Sequence, residues 1–369
     1  MALTNTRGVV IYNIQALRAF AAICVAISHA TSNEGVKAGF SFGASGVDVF
    51  FVISGFVISY ITAFDSSQFV LKRLIRIVPL YWAGTLGLFV LAWFEPRLLH
   101  HTTADPVMLA KSLFFIPYRQ PLGPFPLLIL GWTLNYEMYF YAMFAVGLRI
   151  SAKHARPICA ALILLVFAAT KFVAPASTFS AFYGRDVVLE FLFGMMACQL
   201  LQSLPSTFAP APRRGPGFAL ALLGLAAGLA GLLLDARFAG RVSRLWAEGI
   251  PALVIVCSAL ILEFRYRTAE RGRLLLLLGE ASYVLYLVHP YVIYGILRVA
   301  APSATHWPEW AKWPLVALAI AATCAVAVAL HLYFEKPVMA ALRRRLIHRP
   351  PPIIFDTDPA ARPTVSAPH

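Results

Sequence analysis

Ten stretches of this chain are apolar for long enough to cross a lipid bilayer, and nothing else in the sequence constrains its fold as strongly. A spanning helix needs about 20 mainly apolar residues. The stretches lie at about 12–31, 43–64, 78–95, 129–149, 157–174, 186–204, 217–235, 247–263, 280–299 and 313–334. Backbone polar groups in hydrocarbon must find partners within the same segment, so runs of this kind become helices. The strands of a membrane β-barrel would instead be short and alternating. Composition agrees: 60% of residues are hydrophobic and only 13% charged. A soluble domain of 369 residues has too little interior to hide that much apolar surface. The expected fold is therefore all-α, a polytopic transmembrane helix bundle of about ten spans over residues 1–346. The Pro- and Ala-rich segment 347–369 is expected to be a disordered cytoplasmic tail.

Positive charge sets the sides. With the N-terminus in the cytoplasm, nineteen Lys and Arg fall in cytoplasmic segments and ten outside, the rest being Arg18 and Lys171 within spans. This bias favours N-in and C-in. Arg237, Arg241 and Arg244 count against it. The formal net charge of +14 then reads as loops beside anionic lipid or an anionic substrate, not as a nucleic-acid site. Cys24, Cys159, Cys198, Cys257 and Cys324 each sit inside an apolar run with no metal or disulfide spacing, and read as small hydrophobes. No Walker loop or GxGxxG precedes a helix, so ATP and dinucleotide chemistry have no support.

Ionisable side chains at bilayer depth are costly, so each one is a candidate for function. Arg18 and His29 are eleven residues apart, within about 20° of three whole turns. They share one helix face, separated by about 16 Å along the axis. Arg18 lies toward the cytoplasm and His29 deeper, toward the outer half. Asp48, in Gly43-Ala-Ser-Gly46-Val-Asp48, enters from the side of His29 and is expected to orient or charge-stabilise its ring. Gly43, Gly46 and Gly55 permit close helix approach. Trp132-Thr-Leu-Asn135-Tyr136-Glu137-Met-Tyr139-Phe-Tyr141 is too polar to face lipid, and Glu137 is a candidate acid/base or His-orienting group. Ser282, Tyr286 and His289 share a helix face before Pro290, which should kink the helix. Glu190, His331 and Glu335 read as structural. Between the second and third spans, Arg73 and Arg76 lie on one face if the segment is helical, with Pro79 disrupting continuation. Paired guanidinium groups hold phosphates through forked hydrogen bonds.

These residues resemble the membrane-bound acyltransferase-3 family over about residues 12–346. The marks are Arg18-x10-His29, Ser45-Gly46-Val-Asp48-x-Phe-Phe-Val-Ile-Ser54-Gly55-Phe56, Arg73-x-x-Arg76-Ile-x-Pro79-x-Tyr81, Trp132-x-Leu134-x-x-Glu137-x-x-Phe140-Tyr141 and Ser282-Tyr283-x-x-Tyr286-x-x-His289. Five motifs in order make the likeness specific. It is similar most of all to the exopolysaccharide-production branch, which includes succinoglycan acetyltransferases, through Phe42-Gly43-Ala44-Ser45-Gly46 and Gly131-Trp132-Thr133-Leu134-Asn135-Tyr136-Glu137.

The resemblance implies an integral O-acyltransferase of the bacterial inner membrane. It would move an acyl group, by default acetyl, from acyl-CoA to a hydroxyl of a cell-surface polysaccharide or its lipid-linked precursor. No permanent cofactor or metal is expected, and a homo-oligomer or a polysaccharide-assembly complex is compatible with it. Some relatives append an extracellular SGNH-type hydrolase domain. This chain ends soon after the tenth span, so the membrane domain is expected to complete the transfer. In the implied chemistry Arg73 and Arg76 hold the donor phosphates and Arg18 lines the route to His29, the base or nucleophile. Asp48 or Glu137 sets its tautomer, and Trp132, Asn135, Tyr136, Tyr286 and His289 contact substrate. The rival is a proton-coupled transporter or flippase for a glycan or lipid, relaying through Arg18, His29 and Glu137. The lack of an internal repeat and the Arg73/Arg76 pair argue against it. A third reading, a non-catalytic scaffold in polysaccharide assembly, is separated from an enzyme by donor binding.

Overall fold

The computed structural model describes residues 10–32, 45–95, 97, 104–120, 123–173, 175–204, 209–238, 242–269, 272–304 and 307–347. All ten apolar stretches are helical in their described parts. The order is α1 Tyr12–Thr31, α2 Gly46–Thr62, α3 Phe69–Phe94, α4 Pro106–Leu113, α5 Trp132–Ile150, α6 Ala155–Phe172 and α7 Thr178–Tyr183. Then come α8 Glu190–Ser203, α9 Pro216–Phe238, α10 Ile250–Phe264, α11 Arg273–Glu280, α12 Ser282–Ala304, α13 Glu309–Leu330 and α14 Lys336–Leu346. π-helical turns, Leu245–Gly249 and His331–Glu335, lead into α10 and join α13 to α14. Among the described residues there is no β-strand, only an isolated bridge between Gln120 and Gly123. The expected disordered tail lies outside the described residues but for Ile347.

Among the described residues, eight helical segments are long and apolar enough to cross a membrane. The second expected span is a shorter apolar helix, α2, of 17 residues. The fourth is α5, of 19 residues, whose Asn135, Glu137 and tyrosines lower its hydropathy. The last segment is longer than a span: Trp310–Leu346 runs as one helical rod of 37 residues, about 55 Å at 1.5 Å per residue. Its basic end, Arg343-Arg344-Arg345, thus extends beyond the hydrocarbon.

α1 is the centre of the bundle. It packs on α2, α10, α11, α12 and α13, and 72% of its membrane window is buried, against 17% for Pro216–Leu234 in α9. Residues such as Gln15 and Arg18 are tolerated in α1 because protein, not lipid, surrounds them. Small residues set the closest approaches. A Cβ on Gly55 would sit 2.1 Å from the Phe191 carbonyl oxygen, and one on Gly194 2.0 Å from that of Val52, so α2 and α8 touch backbone to backbone. Gly46 similarly meets Ala21 of α1. Gly43 lies outside the described residues.

The segment carrying Arg73 and Arg76 is not a loop. α3 starts at Phe69 and runs through Pro79 to Phe94. A proline inside a helix removes one i→i−4 bond and bends the axis, but packing can carry the helix past it. α12 passes through Pro290 in the same way. The Pro-rich stretch between α3 and α5 holds one short helix, α4, in its described part. Asp105 caps α4 by accepting from the amides of Val107 at 2.6 Å and Met108 at 3.2 Å, and Pro106 sits in its first turn.

Candidate functional site

One cavity draws residues from five helices. Its empty volume is about 810 Å³, and it is lined by Arg18 of α1, Phe51 and Ser54 of α2, Arg73 and Arg76 of α3, Glu137 and Tyr141 of α5, and Tyr283 and Tyr286 of α12, among others. Its walls are apolar apart from a few convergent polar groups.

The three arginines foreseen from sequence meet here. Arg18 is 6% exposed, and its side chain lies 3.5 Å from Gln15 Oε1. Glu137 and Glu335 are the carboxylates within its electrostatic reach. Arg73 places its guanidinium 5.9 Å from the Phe69 ring centre, and its buried Nε has no hydrogen-bond partner. Glu137 accepts from the Ser54 hydroxyl at 3.2 Å and from the Tyr141 hydroxyl. The base of the cavity thus carries three guanidinium groups and one carboxylate fixed by two hydroxyls. Tyr283 steadies it by donating to the Ile77 carbonyl at 2.8 Å, just before Pro79. Next to it, His331 Nδ1 and Glu335 Oε2 are 2.6 Å apart, a structural pair as expected. Glu280, at the end of α11, lies 3.7 Å from the His331 imidazole.

His29 lies away from that cavity. It is exposed in the last turn of α1 and stands edge-on to His289, with ring centres 4.9 Å apart. His289 is fully buried, and its ring lies 5.9 Å from that of Tyr286. Tyr286 also lines the cavity. A file of side chains, Tyr286, His289 and His29, therefore leads from the cavity wall to the end of α1. The Nδ1 of His29 lies 3.0 Å from the Val25 carbonyl oxygen. A carbonyl only accepts, so in the neutral tautomer that fits this contact Nδ1 carries the proton and Nε2 is the acceptor. His289 repeats the arrangement: Nδ1 meets the Leu285 carbonyl at 3.3 Å, and its buried Nε2 has no hydrogen-bond partner among the described residues.

This corrects two expectations. Asp48 does not orient His29: it is fully buried and accepts from Arg244 Nε at 2.9 Å and Nη2 at 2.7 Å. Arg244 also pairs with Glu248 at 3.1 Å. This cluster, with Glu190 beside Asp48, explains why Arg244 sits on the side where the charge bias counted against it. It is a partner for buried carboxylates rather than a loop cation. Glu137 is held by Ser54 and Tyr141, not by a histidine.

The aromatic substrate contacts divide. Tyr286 lines the cavity. Tyr136 does not: it is fully buried, its hydroxyl donates to the Phe182 carbonyl at 2.6 Å, and its ring stacks on Phe182 at 4.3 Å, so it packs the core. Trp132 is half-buried with the Arg185 guanidinium 5.6 Å from its ring. Asn135 is 1% exposed, and both polar atoms of its amide lack partners among the described residues. Sequence reasoning passed over Ser54, Tyr141 and Tyr283 as site residues although it quoted all three. The signal was their recurrence in the polar motifs of α2, α5 and α12.

Comparison with known proteins shows the family. The acyltransferase domain designated acyltransferase 3 matches residues 11–332. The chain is 33% identical over 317 residues to the exopolysaccharide production protein ExoZ of Rhizobium meliloti (strain 1021), covering 84% of this chain and 93% of that protein. It is 28% identical over 351 residues to the acyltransferase MdmB of Streptomyces mycarofaciens, covering 86% and 85%. No solved structure matches.

Proposed function

Since this chain belongs to the acyltransferase-3 family and is a multi-pass membrane enzyme, we propose that it transfers an acyl group, by default acetyl, from acyl-CoA to a hydroxyl of a surface polysaccharide or its lipid-linked precursor in the bacterial inner membrane. The observation that carries this reading is the convergence of Arg18, Arg73 and Arg76 on one cavity whose wall includes Tyr286, the neighbour of His289. Guanidinium groups suit phosphate oxygens, and acyl-CoA is a phosphate-rich donor on the side where the charge bias puts these arginines.

The chemistry follows from the file of side chains. The phosphates sit at Arg73 and Arg76, and the acyl arm passes Arg18 and Tyr286 toward His29. Nε2 of His29, free because Val25 holds Nδ1, takes the proton of the acceptor hydroxyl. The hydroxyl oxygen forms its bond to the acyl carbon as the carbon–sulfur bond breaks. The proton then passes to the departing CoA thiolate. A second route keeps the same groups: Nε2 attacks the acyl carbon and CoA leaves as its thiolate, and the acyl-imidazolium then gives its acyl group to the hydroxyl, whose proton ends on the thiolate. The exposure of His29 suits an acceptor arriving from the outer side. His289, stacked edge-on, fixes the ring.

The test is binding of radiolabelled acetyl-CoA to the purified full chain, with analysis of ester-linked acyl groups on the surface polysaccharide of a deletion strain. Saturable binding and loss of esters on deletion support the reading. Absence of donor binding returns the transporter or scaffold reading.

A further inference from the structure

The donor pocket as read from the motifs uses arginines of α1 and α3. We infer that Arg343, on the C-terminal helix α14, is a further phosphate-holding residue of that pocket, so that α14 closes it from the opposite side. The inference rests on the acyl-CoA reading above.

α14 packs directly on α3, and Arg343 lies within electrostatic range of both Arg73 and Arg76. Its Nε is buried with no hydrogen-bond partner among the described residues, as is that of Arg73. Beside it is an open recess lined by Ala340, Arg343, Arg344 and Ile347. None of Arg18, Arg73, Arg76 and Arg343 makes an ion pair among the described residues. The carboxylates near Arg18 are already engaged, Glu137 by Ser54 and Tyr141, and Glu335 by His331.

Four guanidinium groups near only two carboxylates, Glu137 and Glu335, leave positive charge in excess in a partly desolvated place, which is costly, and buried N–H groups without acceptors add to that cost. A polyanion entering between α3 and α14 would satisfy both. Its chemistry must be several phosphate oxygens at close spacing, because donors approach from two helices rather than from one point. The diphosphate and ribose phosphate of CoA supply that. An anionic lipid headgroup supplies a simpler version of the same chemistry.

The experiment uses the full chain in phosphatidylcholine nanodiscs, with and without phosphatidylglycerol. The affinities of CoA and 3′-dephospho-CoA are measured for the wild type, Arg343→Ala, Arg343→Lys and, as a neighbouring control, Arg345→Ala. Arg343→Ala is expected to weaken CoA at least about tenfold, equivalent to about 1.4 kcal/mol, with Arg343→Lys recovering part of the loss and Arg345→Ala unchanged. A smaller loss for 3′-dephospho-CoA puts Arg343 on the ribose phosphate, and an equal loss puts it on the diphosphate. Wild-type affinity in Arg343→Ala, or in Arg343→Lys should the alanine variant not fold, overturns the inference. If that variant instead loses stabilisation by phosphatidylglycerol, the residue is a lipid contact. No CoA binding by the wild type overturns the donor reading itself, and with it this role.

Discussion

Asp48 of α2 and Arg244, 196 residues later, form a two-pronged ion pair in which each carboxylate oxygen accepts from a different guanidinium nitrogen, at 2.9 and 2.7 Å. The carboxylate is fully buried and the guanidinium partly so. An acidic residue in a family motif is thus tied to a basic residue outside any motif.

Removing one partner should be worse than removing both. Arg244→Ala leaves a buried carboxylate unpaired, at a cost of about 3 kcal/mol. Asp48→Leu combined with Arg244→Met should recover most of that loss, because an apolar pair of similar volume is often neutral. Thermal unfolding in detergent reads both. If Arg244→Ala melts like the wild type, the pair contributes nothing to the fold.

The α2–α8 contact makes a sharper packing prediction. Gly55→Ala and Gly194→Ala place a methyl about 2 Å from backbone atoms of the opposite helix, which only separation of the helices relieves. Overpacking of this kind costs about 1–3 kcal/mol. Gly87→Ala in α3, where nothing lies within 4 Å, should be neutral or stabilising by up to about 1 kcal/mol through helix propensity. Equal melting temperatures for the three variants would contradict the close approach.

His29→Ala should abolish acyl transfer while abundance and melting temperature stay near normal, since the ring is exposed. Asp48→Asn should act through stability instead, because Val25, not Asp48, sets the imidazole tautomer. Acyl transfer by well-folded His29→Ala at the wild-type rate would remove the base from the mechanism.

The double variant Arg73→Ala, Arg76→Ala should weaken acetyl-CoA at least about tenfold, or about 1.4 kcal/mol. Each charge-assisted hydrogen bond contributes roughly 1.5–3 kcal/mol, so the loss can be larger. Equilibrium binding of labelled donor gives the value. Unchanged affinity would mean that these arginines serve lipid or topology.

Sidedness can be read from cysteines at two exposed positions, Ala63 after α2 and Arg119 in the outer Pro-rich stretch. With a membrane-impermeant thiol reagent on intact spheroplasts, Arg119→Cys should label, and Ala63→Cys only after permeabilisation. The native cysteines lie within helices and are buried or half-buried, so they should stay silent. The reverse pattern would put the arginine pocket on the side without CoA.

The sequence by itself determined what is local. Long apolar runs in a medium without water leave the backbone no alternative to helices, so all ten stretches could be read directly. Arg18, Arg73 and Arg76 could be read as site residues because a charge inside such a run is costly enough to be informative. Only the tertiary structure decided what depends on how the helices turn toward one another. It carried α3 through Pro79, gave Asp48 to Arg244, assigned the His29 tautomer to a carbonyl one turn back, turned Tyr136 into the core and brought Arg343 to the α3 arginines. The physical reason is range. Hydropathy and helical periodicity act over one or two turns, whereas the partner of a buried charge is chosen by interhelical distance and rotation. Contacts such as Gly55 against Phe191 set those, between residues more than a hundred positions apart in the chain.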